Sequence, residues 1–223
     1  MQTRQDNNVI TPELVLGALS CIFWTLTIQT TLKYVVITLR ADNKGEGGIF
    51  ALFTLIKKAR KKWLIVVAII GGSALLADGL ITPPISVAAA VEGLQFLPRF
   101  SHLHTVPIVI AILFILFFIQ QFGTNFIGKF FGPAMFVWFG MLGFFGIIGI
   151  SENLSVLKAL NPYYAIELMI MYPGSIWLLG SVFLCTTGAE ALYSDMGHCG
   201  KQNIRVSWVF VKFMLVLNYL GQT

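Results

Sequence analysis

Six long apolar runs constrain this chain more than any motif in it. They cover approximately residues 14–39, 63–92, 105–120, 130–150, 174–193 and 206–220. Crossing a bilayer takes roughly 20 apolar residues, and each run is near that length, the third and sixth short and the second long. They are too numerous and too long to share one buried core. With 57% of residues hydrophobic, 11% charged and a mean hydropathy of +0.80, the solvent for these segments is lipid. Backbone polar groups in lipid must be satisfied within the segment, so the runs are predicted to be helices. The expectation is an all-α, polytopic membrane protein, a single transmembrane domain over 1–223 with about six transmembrane helices in the inner or plasma membrane.

The connections set the orientation. The stretch 40–62 holds seven Lys and Arg, 121–129 holds Lys129, and 194–205 holds Lys201 and Arg205, against Arg4, Arg99 and Lys158 on the other side. Ten against three places the first group in the cytoplasm. The net charge of +5 is therefore a topology signal, and no nucleic-acid partner is expected. Lys57, Lys58, Arg60, Lys61 and Lys62 suit a membrane surface, at the end of an amphipathic helix expected over Ile49–Lys62. Ahead of it, Arg40-Ala-Asp-Asn-Lys-Gly-Glu-Gly-Gly48 reads as a turn, with glycines available for positive φ. Residues 1–12 are polar, and the run after them has no cleavage pattern of a signal peptide. That orientation leaves the N-terminus outside with nothing to carry it there, as expected of a piece that lacks an upstream span. Cys21, Cys185 and Cys199 show no paired spacing, so neither a disulfide framework nor a zinc site is expected.

Function is sought in the polar groups that should not lie in hydrocarbon. Asp78 and Glu190 fall well inside apolar runs, and Glu92 near the end of one; an ionisable group there is a functional candidate by default. Asp78, Thr82 and Ser86 recur at i, i+4 and i+8, one polar stripe on a helix. Pro83 and Pro84 cannot donate to the carbonyls of Gly79 and Leu80, which leaves those oxygens near the stripe. Carboxylate, hydroxyls and carbonyls form a hard-oxygen set suited to an alkali cation or a proton. The plainer reading is a proline-bearing helix repairing its own backbone, and for Thr82 or Ser86 alone it would suffice. A second cluster is Thr186-Thr187-Gly188-Ala189-Glu190, where Thr187 and Glu190 are expected to share a face and Gly188 weakens the helix between them. Interrupted helices are a pointer to transport sites. Tyr193 and Asp195 either finish a cytoplasmic gate or anchor and cap the helix. Lys33 and Lys212 are read as snorkelling from near span ends, and His102, His104 and His198 as loop residues.

Several of these stretches together resemble the Kup/HAK/KT family of potassium uptake transporters: Thr31-Leu-Lys-Tyr34, Arg40 to Gly48, Asp78-Gly-Leu-Ile-Thr-Pro-Pro-Ile-Ser86 with Val91-Glu-Gly93, Gly188-Ala-Glu-Ala-Leu-Tyr-Ser-Asp-Met-Gly-His198, Asn161-Pro162 and Asn218-Tyr-Leu-Gly-Gln222. The resemblance implies a partial inverted-repeat amino-acid/cation transporter fold, with this chain as spans two to seven and the first span and C-terminal part missing. It also implies proton–potassium symport, with potassium bound at Asp78, Thr82, Ser86, Thr187 and Glu190, and no cofactor. The complete protein could pair as a homodimer.

Two other readings compete. An amino-acid or organic-substrate permease of the same fold predicts a wider pocket; a structural membrane subunit predicts that Asp78 and Glu190 only hold helices together. An enzyme is disfavoured by the lack of a nucleophile–base pair, and Gly45-Glu-Gly-Gly48 lacks the Lys and Ser/Thr of a phosphate loop.

Overall fold

A computed structural model describes residues 11–56, 63–100, 102, 104–121, 124–172 and 174–222. Arg4 and the basic run Lys57–Lys62 lie outside the described residues. The described chain is helical with no strand, and it separates into two compact units, Met1–Leu55 with Val137–Thr223, and Ile56–Phe136.

In the larger unit, helix α1 (Pro12–Thr25) starts where Thr11 accepts a hydrogen bond from the Leu14 amide (3.3 Å) with Pro12 and Glu13 in the first turn. The cap satisfies an orphan amide, Pro loses nothing at that position, and the carboxylate complements the helix dipole. The helix continues without a break as a wider π-helical stretch, Leu26–Ile37, closed by a 3₁₀ turn, Thr38–Arg40. Hydroxyls follow the wider register: Thr31 donates to the Leu26 carbonyl (3.1 Å) and Thr38 to that of Lys33 (2.7 Å), each five residues back. After the short α2 (Gly48–Ile56), the unit resumes in the second half of α5 (Thr124–Glu152). It then runs through a 3₁₀ segment (Leu154–Leu160), α6 (Pro162–Met171), α7 (Ser175–Leu184), the short α8 (Ala191–Ser194) and α9 (Met196–Cys199), and α10 (Lys201–Gly221).

Three apolar clusters hold this unit. Leu26, Val35 and Leu39 pack with Tyr193, Met196, Ile204 and Trp208; Leu19 packs with Val156, Ala159 and Leu220; Cys21 packs with Ala165, Leu168 and Val182. All three use α1 or its π-helical and 3₁₀ continuation, which together are the spine of the unit. The second half of α5 meets α10 along Gly143, Gly146 and Gly149, where Met214, Leu217 and Gly221 occupy the space a side chain would need.

The smaller unit is α3 (Trp63–Gln95) packed on α4 (Thr105–Gln120), with Gln95 donating to Thr105 Oγ1 (2.9 Å) across the intervening turn. Only 6% of the apolar α3 window is buried within the chain. Exposed apolar surface of that extent on a helix about 50 Å long faces lipid or further protein.

Among the described residues, four helices are long and apolar enough to cross a membrane: Pro12–Arg40, Trp63–Gln95, Gly128–Glu152 and Lys201–Gly221. The expected third run is a 16-residue helix. The expected fifth run, 174–193, is not one helix: α7 stops at Leu184 and turns fill 185–190. Helices α5 and α10 begin five or six residues before their apolar runs; in α10 the added turn holds Lys201, Gln202 and Arg205, polar residues that are good helix formers. That places Lys212 near the middle of α10 rather than near its end, with Nζ 5.9 Å from the Phe23 ring centroid of α1. The stretch 151–173, read as a plain connection, is mostly helical and packs on α1. Ser20 donates to the Asn161 carbonyl (2.9 Å), Trp24 to that of Leu160 (3.2 Å), and Gly17 admits Leu168 so closely that an added Cβ would stand 2.8 Å from the leucine Cβ. Lys158, Asn161, Pro162 and Glu167 interrupt the apolar run there and hid the helix.

Candidate functional site

The smaller unit carries the first cluster on one unbroken helix. Asp78, Thr82 and Ser86 all lie on α3, which runs through Pro83 and Pro84. Thr82 Oγ1 donates to Asp78 Oδ1 at 2.7 Å, so the stripe anticipated from spacing is made as a hydrogen bond for its first two members. Asp78 and Thr82 are half-buried and Ser86 is exposed. A carboxylate held by a hydroxyl one turn away keeps an acceptor oxygen free, and the hydroxyl keeps its lone pairs. Glu92 is on the same helix, exposed, close to its end.

The larger unit carries the second cluster, and here the geometry differs from expectation. Thr187 and Glu190 do not share a helical face, because both lie in the turns that follow α7. The amides of Cys185, Thr186, Thr187 and Ala189 bond three residues back, to Val182, Phe183, Leu184 and Thr186. Gly188 then takes φ of +87°, a left-handed geometry that glycine adopts without strain. The helix break foreseen at Gly188 is thus real and longer than foreseen. Thr187 is exposed and Glu190 half-buried. The stretch Cys185–Ala189 lines a pocket of about 230 Å³, shared with Leu26, Thr30, Trp208 and Val211; Glu190 is not among its lining residues. A second pocket, about 600 Å³, is lined by Asp195, His198, Cys199 and Asn203, and meets the first at Gly188, Leu192 and Ser207.

The turn 41–48 covers the end of this unit. Asn43 and Glu46 exchange backbone hydrogen bonds (2.9 and 3.1 Å), with Lys44 at φ +56° and Gly45 at φ +89°, and the Gly45 amide donates to Asp42 Oδ2 (3.2 Å). Gly45 and Gly48 supply the positive φ their positions suggested. Tyr193, buried, donates its hydroxyl to the Ala41 carbonyl; Lys201 reaches Asp42 (3.7 Å); the Glu46 carboxylate fills the space over Gly197; and Arg205 donates to the Val35 carbonyl (3.3 Å). Tyr193 is therefore a fastening between the turn and α8. Asp195 is exposed, with its carbonyl bonded to the His198 and Cys199 amides and its side chain not capping α9.

Sequence reasoning missed Thr30 and Trp208. Both are ordinary residues of an apolar stretch until the fold brings α1, the 185–190 turns and α10 together. Trp208 Nε1 donates to Thr31 Oγ1 (3.0 Å), while Thr30 Oγ1 is buried with no partner among the described residues.

The whole chain, residues 1–223, matches the family described as K+ potassium transporter integral membrane domain. It is 65% identical, over 96% of its length, to a protein of Flavobacterium psychrophilum named probable potassium transport system protein Kup, covering 33% of that protein. Proteins of the same name from Flavobacterium johnsoniae and Enterococcus faecalis are 64% and 53% identical over 100% and 96% of the chain, which covers 34% and 33% of them. The chain spans about a third of the length of these relatives. No solved structure matches it. With membrane-length apolar helices, a carboxylate–hydroxyl pair within one of them and a break after the shorter α7, the chain belongs to the K+ potassium transporter family.

Proposed function

We propose that this chain supplies cation-binding elements of a potassium importer, with Asp78, Thr82 and Ser86 on α3 and Thr187 and Glu190 around the α7 break as oxygen ligands or proton carriers. The observation that carries the reading is the Thr82–Asp78 hydrogen bond inside an apolar helix. An ionisable group in an apolar helix is costly and a functional candidate by default, and a hydroxyl bonded to it pre-sets the oxygens that replace an ion's water. The helix break supports the reading further, since unwound backbone offers carbonyl oxygens that a continuous helix consumes. Transport in the relatives' printed names is potassium transport.

Coupling to protons is part of the proposal. Asp78 or Glu190 is the group proposed to exchange a proton against potassium, carboxylates within membrane segments being the usual members of proton relays. No cofactor is needed for such exchange, and a homodimer is compatible with it.

The test is counterflow in proteoliposomes holding the complete protein. Rubidium accumulation driven by trapped potassium supports the reading, and net rubidium entry into potassium-free vesicles with alkalinisation outside supports its coupling to protons. Counterflow of amino acids without rubidium movement refutes it.

A further inference from the structure

Among the threonine hydroxyls from Thr27 to Thr38, one behaves unlike the rest. Thr27, Thr31 and Thr38 donate to carbonyls of the preceding turn, those of Phe23 (2.8 Å), Leu26 (3.1 Å) and Lys33 (2.7 Å). Thr30 is 2% exposed, and its Oγ1 has no hydrogen-bond partner among the described residues. A buried polar atom without a partner is uncommon and points to a ligand or a water. Thr30 lines the 230 Å³ pocket beside the α7 break, in the π-helical stretch of α1. Stretches of π-helix occur often at functional sites.

The other polar atoms of that pocket decide what it takes. Hydroxyls of Thr186, Thr187 and Ser207 line it, and no Asp, Glu, Lys or Arg does. Thr186 has committed its proton to the Phe183 carbonyl (2.8 Å), Ser207 its proton to that of Ile204 (3.1 Å), and the Trp208 indole its proton to Thr31. Thr186 and Ser207 therefore present oxygen lone pairs to the pocket, the Trp208 indole has no acceptor to offer, and with no cationic side chain among the described lining residues an anion is disfavoured. Uncharged oxygens suit a large, weakly hydrated monovalent cation; a divalent ion would need carboxylates. The remaining walls, Leu26, Val211 and Leu215, are dry. At about 30 Å³ per water, the space admits an ion with part of its shell.

We propose that Thr30 is a cation ligand, and that with the hydroxyls of Thr186, Thr187 and Ser207 it forms a resting site for a partly hydrated monovalent cation. The site is built wholly within the larger unit and contains no carboxylate. It rests on the cation-transport reading above, yet its test can fail alone.

The test uses the complete protein, purified in detergent and in proteoliposomes, as wild type, Thr30→Val and Thr30→Ser. Valine keeps the branched shape and removes only the oxygen. Potassium and rubidium, with choline as control, are titrated against Trp208 emission, identified by its loss in Trp208→Phe. Thr30→Val is expected to raise the half-saturating potassium concentration about tenfold, in titration and in rubidium uptake, and Thr30→Ser to restore it. Unchanged half-saturation in Thr30→Val overturns the proposal, and does so without touching the transport reading if wild type still carries rubidium. Should Thr30→Val not yield a monodisperse protein, Ser207→Ala is put through the same titration with the same two outcomes. Anomalous scattering of rubidium in the pocket confirms the site; water or protein chain filling it in rubidium overturns it.

Discussion

Removing the Tyr193 hydroxyl, as Tyr193→Phe, should loosen the turn 41–48 by an amount the structure lets one work out. The ring is 5% exposed and its hydroxyl donates to the Ala41 carbonyl. Deleting one partner of such a bond costs roughly 1–3 kcal/mol when the other stays buried. Ala41 is only half-buried, so water repairs part of the loss and the lower end applies, about 1 kcal/mol or a fivefold larger open population. The Lys201–Asp42 pair cannot hold the turn in its place. At 3.7 Å, with side chains 44% and 35% exposed, it contributes about 0.5 kcal/mol or less. The assay is trypsin cleavage after Lys44, which is exposed at the tip of the turn, followed by mass spectrometry of the complete protein in detergent. Where reclosing is faster than cutting, cleavage rate follows the open population. Tyr193→Phe should raise that rate about fivefold and Lys201→Ala less than about twofold. Gly47→Ala should raise it beyond either, because its Cβ would meet the Tyr193 carbonyl and ring with no flexible atom to yield. Equal cleavage in wild type and Tyr193→Phe would refute the argument that this bond fastens the turn.

Three other outcomes are expected. Gly146→Val should lower the melting temperature in detergent by about 1–3 kcal/mol of stability, since the new side chain meets the backbone of Leu217 on α10; Gly140→Val, in open space on the same helix, serves as control. Thr11→Ala removes the α1 cap and the bond to Tyr172 (3.1 Å), costing about 1–2 kcal/mol, visible as faster amide exchange at Leu14. Gly188→Ala forces an L residue to φ +87° at roughly 1–2 kcal/mol, and should slow rubidium uptake by shifting the turns after α7.

How much was legible in the sequence depends on which signal each feature leaves. Apolar runs located α3 and α4 almost to the residue, because lipid selects directly on composition. They failed at α6, whose amphiphilic stretch is capped by Asn161 accepting from the Tyr163 amide (3.0 Å) and packs on a neighbouring helix. They failed again beyond Leu184, where hydropathy stays high although the backbone has left the helix. The Asp78–Thr82 pair was legible because i, i+4 spacing and helical geometry determine it locally. Thr187 and Glu190 were assigned a helical relation that Gly188 abolishes, so their spacing misled while their region was right. Thr30 was invisible for a different reason. An unpartnered hydroxyl is defined by what fails to surround it, and that depends on α10 and on residues more than 150 positions away.

In the proposed mechanism the carboxylate of Asp78 acts on the ion. Replacing it by Asn in the complete protein keeps size and the hydrogen bond from Thr82 while removing the charge and the titratable proton. Initial rates of rubidium uptake and the accompanying proton movement, measured in proteoliposomes with equal protein incorporation, decide the matter. Loss of both, with the variant inserted and folded, is the predicted result; uptake at the wild-type rate would contradict it.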